Sequence, residues 1–236
     1  MSVYVTADLH GYPTEEFLKL LKKSGFSEHD FLFVIGDVID RNGDGGVGLL
    51  RWMMCQPNVE LILGNHEKMM LDSRFVFDEI TEDSVNAISA EKMDSLSGWL
   101  ACGGDVTLRS LKELRGTNPD LEEDILSYCE EAPMYESVTA GERDFLLVHA
   151  GLGNFAEDKK LSEYTDEELL WTRPALEDRY FKDVITIFGH TPTRYYGWKY
   201  NGRAIRTPTW INIDTGAAYE GHPMLIRLDD LKEFYV

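Results

Sequence analysis

The chain has 236 residues, 43% of them apolar, and sets 23 Lys and Arg against 42 Asp and Glu for a formal charge of −19. That length can bury a substantial core, and a field so negative repels nucleic acid and anionic membranes, so neither is an expected partner and an anionic substrate has to be drawn by a local site. No run approaches the roughly 18–20 apolar residues of a membrane span, and MSVYVTADLHG enters a strand pattern with no basic flank, from which a cytoplasmic protein is expected.

Val3-Tyr4-Val5-Thr6 predicts the first strand, and Phe17, Leu18, Leu20 and Leu21 follow it at helical spacing. Phe31–Ile35 predicts a second strand, Leu49, Leu50, Met53 and Met54 a second helix, and Val59–Leu63 a third strand, an alternation that reads as α/β. Residues 73–133 turn acidic and helical, as in DSVNAISAEKMDSLSGWL and DLEEDILSYCEE. They are expected to form a solvated helical insertion packed on the main sheet, the functional alternative being a lid over the substrate. Further buried strands are predicted at Phe145–Val148, Val184–Phe188 and Trp210–Ile213, and the Asn201-Gly202 pair, flanked by aromatics, predicts a surface hairpin over 195–203. With no repeats or low-complexity linkers, residues 1–236 are expected to form a single domain. Cys55, Cys102 and Cys129 lack CxxC spacing and are read as small core residues rather than disulfide or metal cysteines.

The first five apolar runs each end in a polar cluster: Asp8-Leu9-His10-Gly11, Gly36-Asp37-Val38-Ile39-Asp40-Arg41, Gly64-Asn65-His66-Glu67, His149-Ala150-Gly151 and Gly189-His190-Thr191. In an α/β sheet the carboxyl ends of strands line one edge, so the five clusters can converge there. Four of the six histidines fall in them, which leaves His29 and His222 as surface loop residues. Asp, His and Asn without Cys make an oxygen and nitrogen donor set suited to Mn²⁺, Fe²⁺ or Zn²⁺ rather than to structural zinc. A single such cluster is equally well a strand-end turn capping the next helix; five in order are not. Asp214, in Asn212-Ile213-Asp214-Thr215-Gly216, reads as structural, and Glu67 as a cap on the helix it opens.

Taken together, the five clusters resemble the motifs of the calcineurin-like metallophosphoesterases, and most of all the phosphoprotein phosphatase branch with its bacterial and bacteriophage lambda serine/threonine phosphatases. The resemblance spans residue 8 to about 216. It implies a two-sheet β-sandwich flanked by helices, the four-layer metallophosphoesterase fold, in place of a plain α/β sheet. It implies two divalent ions, manganese foremost, the first held by Asp8, His10 and Asp37 and the second by Asp37, Asn65, His149 and His190. Asp40 and His66 match the family's catalytic acid pair, Arg41 a phosphate-binding arginine, and Arg173 in Leu170-Trp171-Thr172-Arg173 a second one. Ala7 and Asn42 stand where the family usually has glycine, and neither position supplies a ligand.

The implied activity is hydrolysis of phosphoserine and phosphothreonine, with phosphotyrosine a further option, in a phosphorylated protein substrate. Two ions roughly 3.5–4 Å apart can clamp phosphoryl oxygens and share a water of near-neutral pKa for in-line attack. Against four positive charges the ligands set only Asp8 and Asp37, and Arg41 and Arg173 add two more, which is how so acidic a chain can hold an anion. A dinucleoside polyphosphate hydrolase on the same scaffold is the alternative; those enzymes more often have Asp where this chain has Glu67. A non-catalytic phosphate-binding regulatory protein is the third possibility, and the complete set of motif residues speaks against it.

Overall fold

Val3, Val5 and Ala7 face one side of the first strand and Tyr4 faces the other, and all are buried. A strand covered on both faces reads as a continuous apolar run rather than an alternating one. The computed structural model describes residues 1–79 and 81–236. Its first sheet is ordered β10-β9-β1-β2-β3, from β1 (Val3–Ala7), β2 (Phe31–Ile35), β3 (Val59–Ile62), β9 (Met224–Arg227) and β10 (Lys232–Tyr235). The second is ordered β4-β5-β6-β8-β7, from β4 (Tyr135–Ala140), β5 (Arg143–Val148), β6 (Val184–Phe188), β7 (Ile205–Arg206) and β8 (Trp210–Asn212).

In the first sheet β1, β2 and the edge strand β3 run parallel, as do the central strands β5, β6 and β8 in the second, while β9, β10, β4 and β7 pair antiparallel with their neighbours. The sheets share a core in which Val5, Ile35 and Ile62 meet Phe145, Leu147, Ile187 and Ile211. This is the two-sheet arrangement that the family resemblance implies, in place of the single α/β sheet read from the strand and helix pattern.

Outside the first sheet pack α1 (Thr14–Ser24), α2 (Val47–Met54), α3 (Asn65–Asp72) and the predicted insertion. The insertion comprises α4 (Glu82–Asn86), α5 (Ala90–Trp99), a π turn at Leu100–Gly104, α6 (Asp105–Thr117) and α7 (Pro119–Glu130); Ile80, also predicted to belong to it, lies outside the described residues. In α1, Phe17, Leu20 and Leu21 are buried, Glu15 and Glu16 sit in the first turn and Lys22 and Lys23 in the last, and Gly25 closes it in a left-handed conformation. The outer face of the second sheet is covered by the short α8 (Asp166–Leu170) and by loop residues such as Leu152, Tyr164 and Tyr180. No helix among the described residues is long and apolar enough to cross a membrane.

Two expectations need correction. Residues 195–203 form no hairpin: Thr193–Tyr196 and Trp198–Tyr200 are 3₁₀ turns, and the Asn201-Gly202 pair only bends the loop onward. Their aromatics do not alternate as strand residues do, and Trp198 is 83% exposed with nothing to pair against. Of the cysteines, all free, only Cys129 is a core residue; Cys55 is exposed and Cys102 half-buried.

Candidate active site

The parallel strands of both sheets deliver their carboxyl ends to one edge, and the five polar clusters meet there. Asp8 N donates to Gly36 O at 3.1 Å, His10 N to Asp37 O at 2.8 Å and Gly189 N to His149 O at 2.8 Å, so the strand-end loops are sewn together before any side chain acts. Asn42, the departure from glycine, adds a stitch by donating its amide to His10 O at 3.1 Å. The loops are bent sharply: Asp8, His10, Asp37, Asp40, Arg41 and His190 all have positive φ, and among the described residues only Asn154 and Leu231 share this without being glycine. A non-glycine residue held there costs about 1–3 kcal/mol, and such strain gathers where side chains must be aimed.

Asp37 sits at the centre. His10 Nε2 lies 3.5 Å from its Oδ2, and His149 Nε2 lies 3.4 Å from its Oδ1. Two groups could each hold a metal ion, His10 with Asp37 and His66, and Asp37 with His149 and His190. Burial drives the His10 and His149 rings below their ordinary pKa and His190 down to about 2, so all three are neutral, the form a metal requires. His10 Nδ1 donates to Ile39 O at 3.0 Å and His149 Nδ1 to Ile35 O at 3.1 Å, which leaves each Nε2 a bare lone pair. The His149 lone pair then faces the Asn65 amide oxygen at 2.8 Å, while His190 Nδ1 lies 2.9 Å from the same oxygen. Two acceptors, His149 Nε2 and Asn65 Oδ1, facing one another are arranged as co-ligands of a cation would be, and His190 Nε2 is buried with no hydrogen-bond partner. These residues fit a divalent metal.

Asp8 reaches the same place but turns both oxygens onto the His190 amide, at 2.9 and 3.0 Å. Burial, followed by the charges of Asp214 and Asp37, pushes its carboxyl well up. Asp214 is likewise pushed up to about 7, by burial first and then by Asp37. Three buried carboxylates crowded in this way call for positive charge. Asp37 itself is held far below the ordinary range although burial works against its charge: the histidine rings around it oppose burial, and of these His66, whose own pKa is raised, is the one that can be charged beside it.

His66 Nδ1 and Asp40 Oδ2 are 2.6 Å apart and buried. Burial disfavours the charged ring, yet the Asp37 charge and the Asp40 hydrogen bond prevail and hold its pKa above the ordinary value. Arg41 Nη2 donates to His66 Nε2 at 3.0 Å. Arg173 extends into the same cavity from beyond α8, its Nη1 donating to Thr191 Oγ1 at 3.2 Å. Among the described residues it makes no ion pair, and the nearby Glu168 pairs with Lys159 at 2.8 Å.

The cavity, about 150 Å³, is lined by His10, Asp37, Arg41, Asn65, His66, Arg173 and His190. It also takes in residues that sequence reading did not assign: Cys102, Trp171, Tyr195, Asp214 and Tyr219. Asp214 was within reach of the rule that found the others, since it too follows an apolar run. Trp171, 41% exposed, stands edge-on to His190 with ring centres 5.9 Å apart. Trp99 and Thr107, both buried in the insertion, donate to the Asp40 carboxylate, and no local signal marks them. His29 and His222 are both exposed, as expected of loop residues.

Residues 1–222 match the family described as calcineurin-like phosphoesterase. The chain is 28% identical over 238 residues to serine/threonine-protein phosphatase 1 of Salmonella typhimurium (strain LT2), covering 96% of this chain and 91% of that protein. It is 26% identical over 198 residues to the symmetrical bis(5'-nucleosyl)-tetraphosphatase of Acidovorax sp. (strain JS42), covering 81% of this chain but 58% of that one. Among solved structures, a candidate diadenosine tetraphosphatase superposes with a TM-score of 0.65 at 16% identity, covering 100% of this chain and 92% of that one. A Saccharomyces cerevisiae serine/threonine phosphatase with similarity to human phosphatase PP5 does so with a TM-score of 0.58 at 15% identity, covering 100% and 80%. At those identities the two structures speak for the fold alone. With a match across nearly the whole chain and a site that fits divalent metal, the protein belongs to the calcineurin-like phosphoesterases, hydrolases that use divalent metals.

Proposed function

We propose that the protein is a dinuclear-metal phosphomonoesterase that hydrolyses phosphoserine and phosphothreonine in proteins. The observation that carries this reading is the buried His66–Asp40 pair at 2.6 Å. A serine or threonine phosphate must expel an alkoxide, a poor leaving group that gains from a proton donor, typically by about 10²- to 10⁴-fold. Anhydride cleavage releases a far weaker base and has little use for one.

Arg41 and Arg173 clasp the phosphoryl oxygens with planar forks. While Arg41 donates to His66 Nε2 that nitrogen has to be bare; a phosphate that draws the guanidinium to itself frees Nε2 to carry a proton. Asp37 and Asp40 favour the charged ring, which then hands the proton to the departing oxygen. Asp8, His10, Asp37, Asn65, His149 and His190 would hold two divalent ions, Mn²⁺ foremost with Fe²⁺ or Zn²⁺ as substitutes. Bound there, the ions supply Lewis acidity that neutralises the phosphate dianion and makes water nucleophilic near neutral pH.

Near end-to-end coverage of the Salmonella phosphatase favours a protein substrate, and the chain spans 58% of the Acidovorax tetraphosphatase. Symmetrical cleavage of a dinucleoside tetraphosphate is the second reading, supported by that same relative. Phosphoserine, phosphothreonine and phosphotyrosine peptides assayed beside diadenosine tetraphosphate on one Mn²⁺-loaded preparation separate the two. We expect peptide turnover to dominate; faster cleavage of the tetraphosphate reverses the assignment. In the same assay His66→Asn should slow a phosphoserine peptide far more than p-nitrophenyl phosphate, whereas equal losses remove His66 as the acid.

A further inference from the structure

We infer that the helical insertion is the mount of the general acid rather than a lid: Trp99 and Thr107 are positioning residues that fix the Asp40 carboxylate against His66. The inference rests on the reading of His66 as proton donor.

Asp40 is fully buried, and each of its oxygens is claimed. Oδ1 accepts from Thr107 Oγ1 at 2.6 Å and from Trp99 Nε1 at 3.2 Å; Oδ2 accepts from Trp99 Nε1 at 2.9 Å and lies 2.6 Å from His66 Nδ1. The Thr107 hydroxyl also accepts the Asp40 N–H at 2.9 Å, so one side chain grips both backbone and carboxylate of the same residue. With Oδ1 held by Thr107, the carboxylate cannot rotate away from the imidazole. Trp99 and Thr107 are neutral donors: they add no charge that would compete for the His66 proton, and they hold an anion in place.

Neither donor comes from the strand-end loops. They lie on α5 and α6, on either side of the π turn, a break in regular helix that recurs at functional sites. The turn engages Arg41 as well: Arg41 N donates to Gly103 O at 3.1 Å and Arg41 Nε to Cys102 O at 3.3 Å. Two glycines permit the approach. A Cβ on Gly104 would stand 2.4 Å from Trp99 Nε1, and one on Gly45 2.5 Å from Thr107 Cα. Asp40 and Arg41, both held at positive φ, are thus braced from outside their own loop.

The test compares Thr107→Val and Trp99→Phe with the parent on a phosphoserine peptide and on p-nitrophenyl phosphate, whose leaving group needs no proton. Each variant should lose about tenfold or more in kcat on the peptide, a share of the usual general-acid advantage, and less than about threefold on the aryl ester. Thr107→Ser, which keeps the hydroxyl, should restore the peptide rate. In an Asp40→Asn background Thr107→Val should add less than about a twofold further loss, because its action passes through Asp40. Equal losses on both substrates, or full additivity with Asp40→Asn, overturn the inference. Should Thr107→Val fail to fold by circular dichroism, Trp99→Phe carries the same comparison. If His66→Asn discriminates between the substrates while these variants do not, this inference alone falls; if His66→Asn does not discriminate, the acid assignment falls first.

Discussion

Glu67 Oε2 accepts the Asp37 amide at 2.8 Å, tying the third strand-end loop to the second across 30 residues of sequence. The same carboxylate accepts from Val38 N at 2.8 Å, Ile39 N at 3.2 Å and Gly64 N at 3.1 Å. Burial and the Asp37 charge push its carboxyl up to about 7, with backbone N–H donors opposing them. Glu67→Gln turns one oxygen into an amide facing two of those N–H groups, and buried donors left unpaired cost about 1–3 kcal/mol each. We expect about 3 kcal/mol lost in urea unfolding and Mn²⁺ affinity down by about 10- to 100-fold by calorimetry, because Asp37 loses its brace. An unchanged midpoint and affinity would refute this role.

The two arginines should separate kinetically. Arg173 lines the cavity and, among the described residues, donates only to Thr191, so under the proposed function its guanidinium is available to substrate. Arg173→Ala is therefore expected to raise KM and the inhibition constant of inorganic phosphate by about tenfold, the size of one charge-assisted hydrogen bond, with kcat moved less. Arg41 also touches His66 and the insertion, so Arg41→Ala should lower kcat as well. Identical profiles for the two variants would contradict this division.

Chelation should abolish turnover, with Mn²⁺ restoring it. His149→Ala or His190→Ala, each removing a ligand that faces Asn65, should reduce bound metal from about two ions to about one by elemental analysis. Because ions bind the folded state, the chelated protein should also melt at lower temperature. A full complement of metal in both variants would count against the proposed ligands.

Glu168 offers a pH test away from the metal residues. Its carboxyl is drawn from an ordinary 4.5 down to about 2, first by Lys159, then by the Thr165 amide and Asn154. The folded state therefore binds fewer protons than the unfolded one between those values. The stability from Glu168 is complete above about pH 4.5 and is lost as pH falls toward about 2. The gap in urea midpoint between parent and Glu168→Gln should accordingly narrow on acidification through that window. A gap constant with pH would show that the charge is not responsible.

Much of the site was legible in sequence because its chemistry is written locally. Val3–Ala7, Phe31–Ile35 and Val184–Phe188 are runs buried along most of their length, and each leads directly into a turn of glycine and metal-binding side chains. The insertion was legible as helix but not as part of the site. Its role depends on Trp99 and Thr107 meeting Asp40 across 59 and 67 residues, and a buried Trp or Thr in a helix carries no mark of where its N–H or O–H will reach. The C-terminal strands β9 and β10 are likewise not marked in the sequence, since pairing partners, rather than their own short runs, make them strands.

The sequence by itself determined the strand order of the motifs, the metal-ready residue set and the local basicity that an acidic chain needs, because these depend on nearest-neighbour pattern and residue chemistry. Only the tertiary structure decided that Asp8 turns to the His190 amide, that Glu67 fastens two loops, and that Asp40 is braced from the insertion on either side of a π turn. Those contacts are hydrogen bonds between segments far apart in the chain, and their geometry exists only once both sheets have packed.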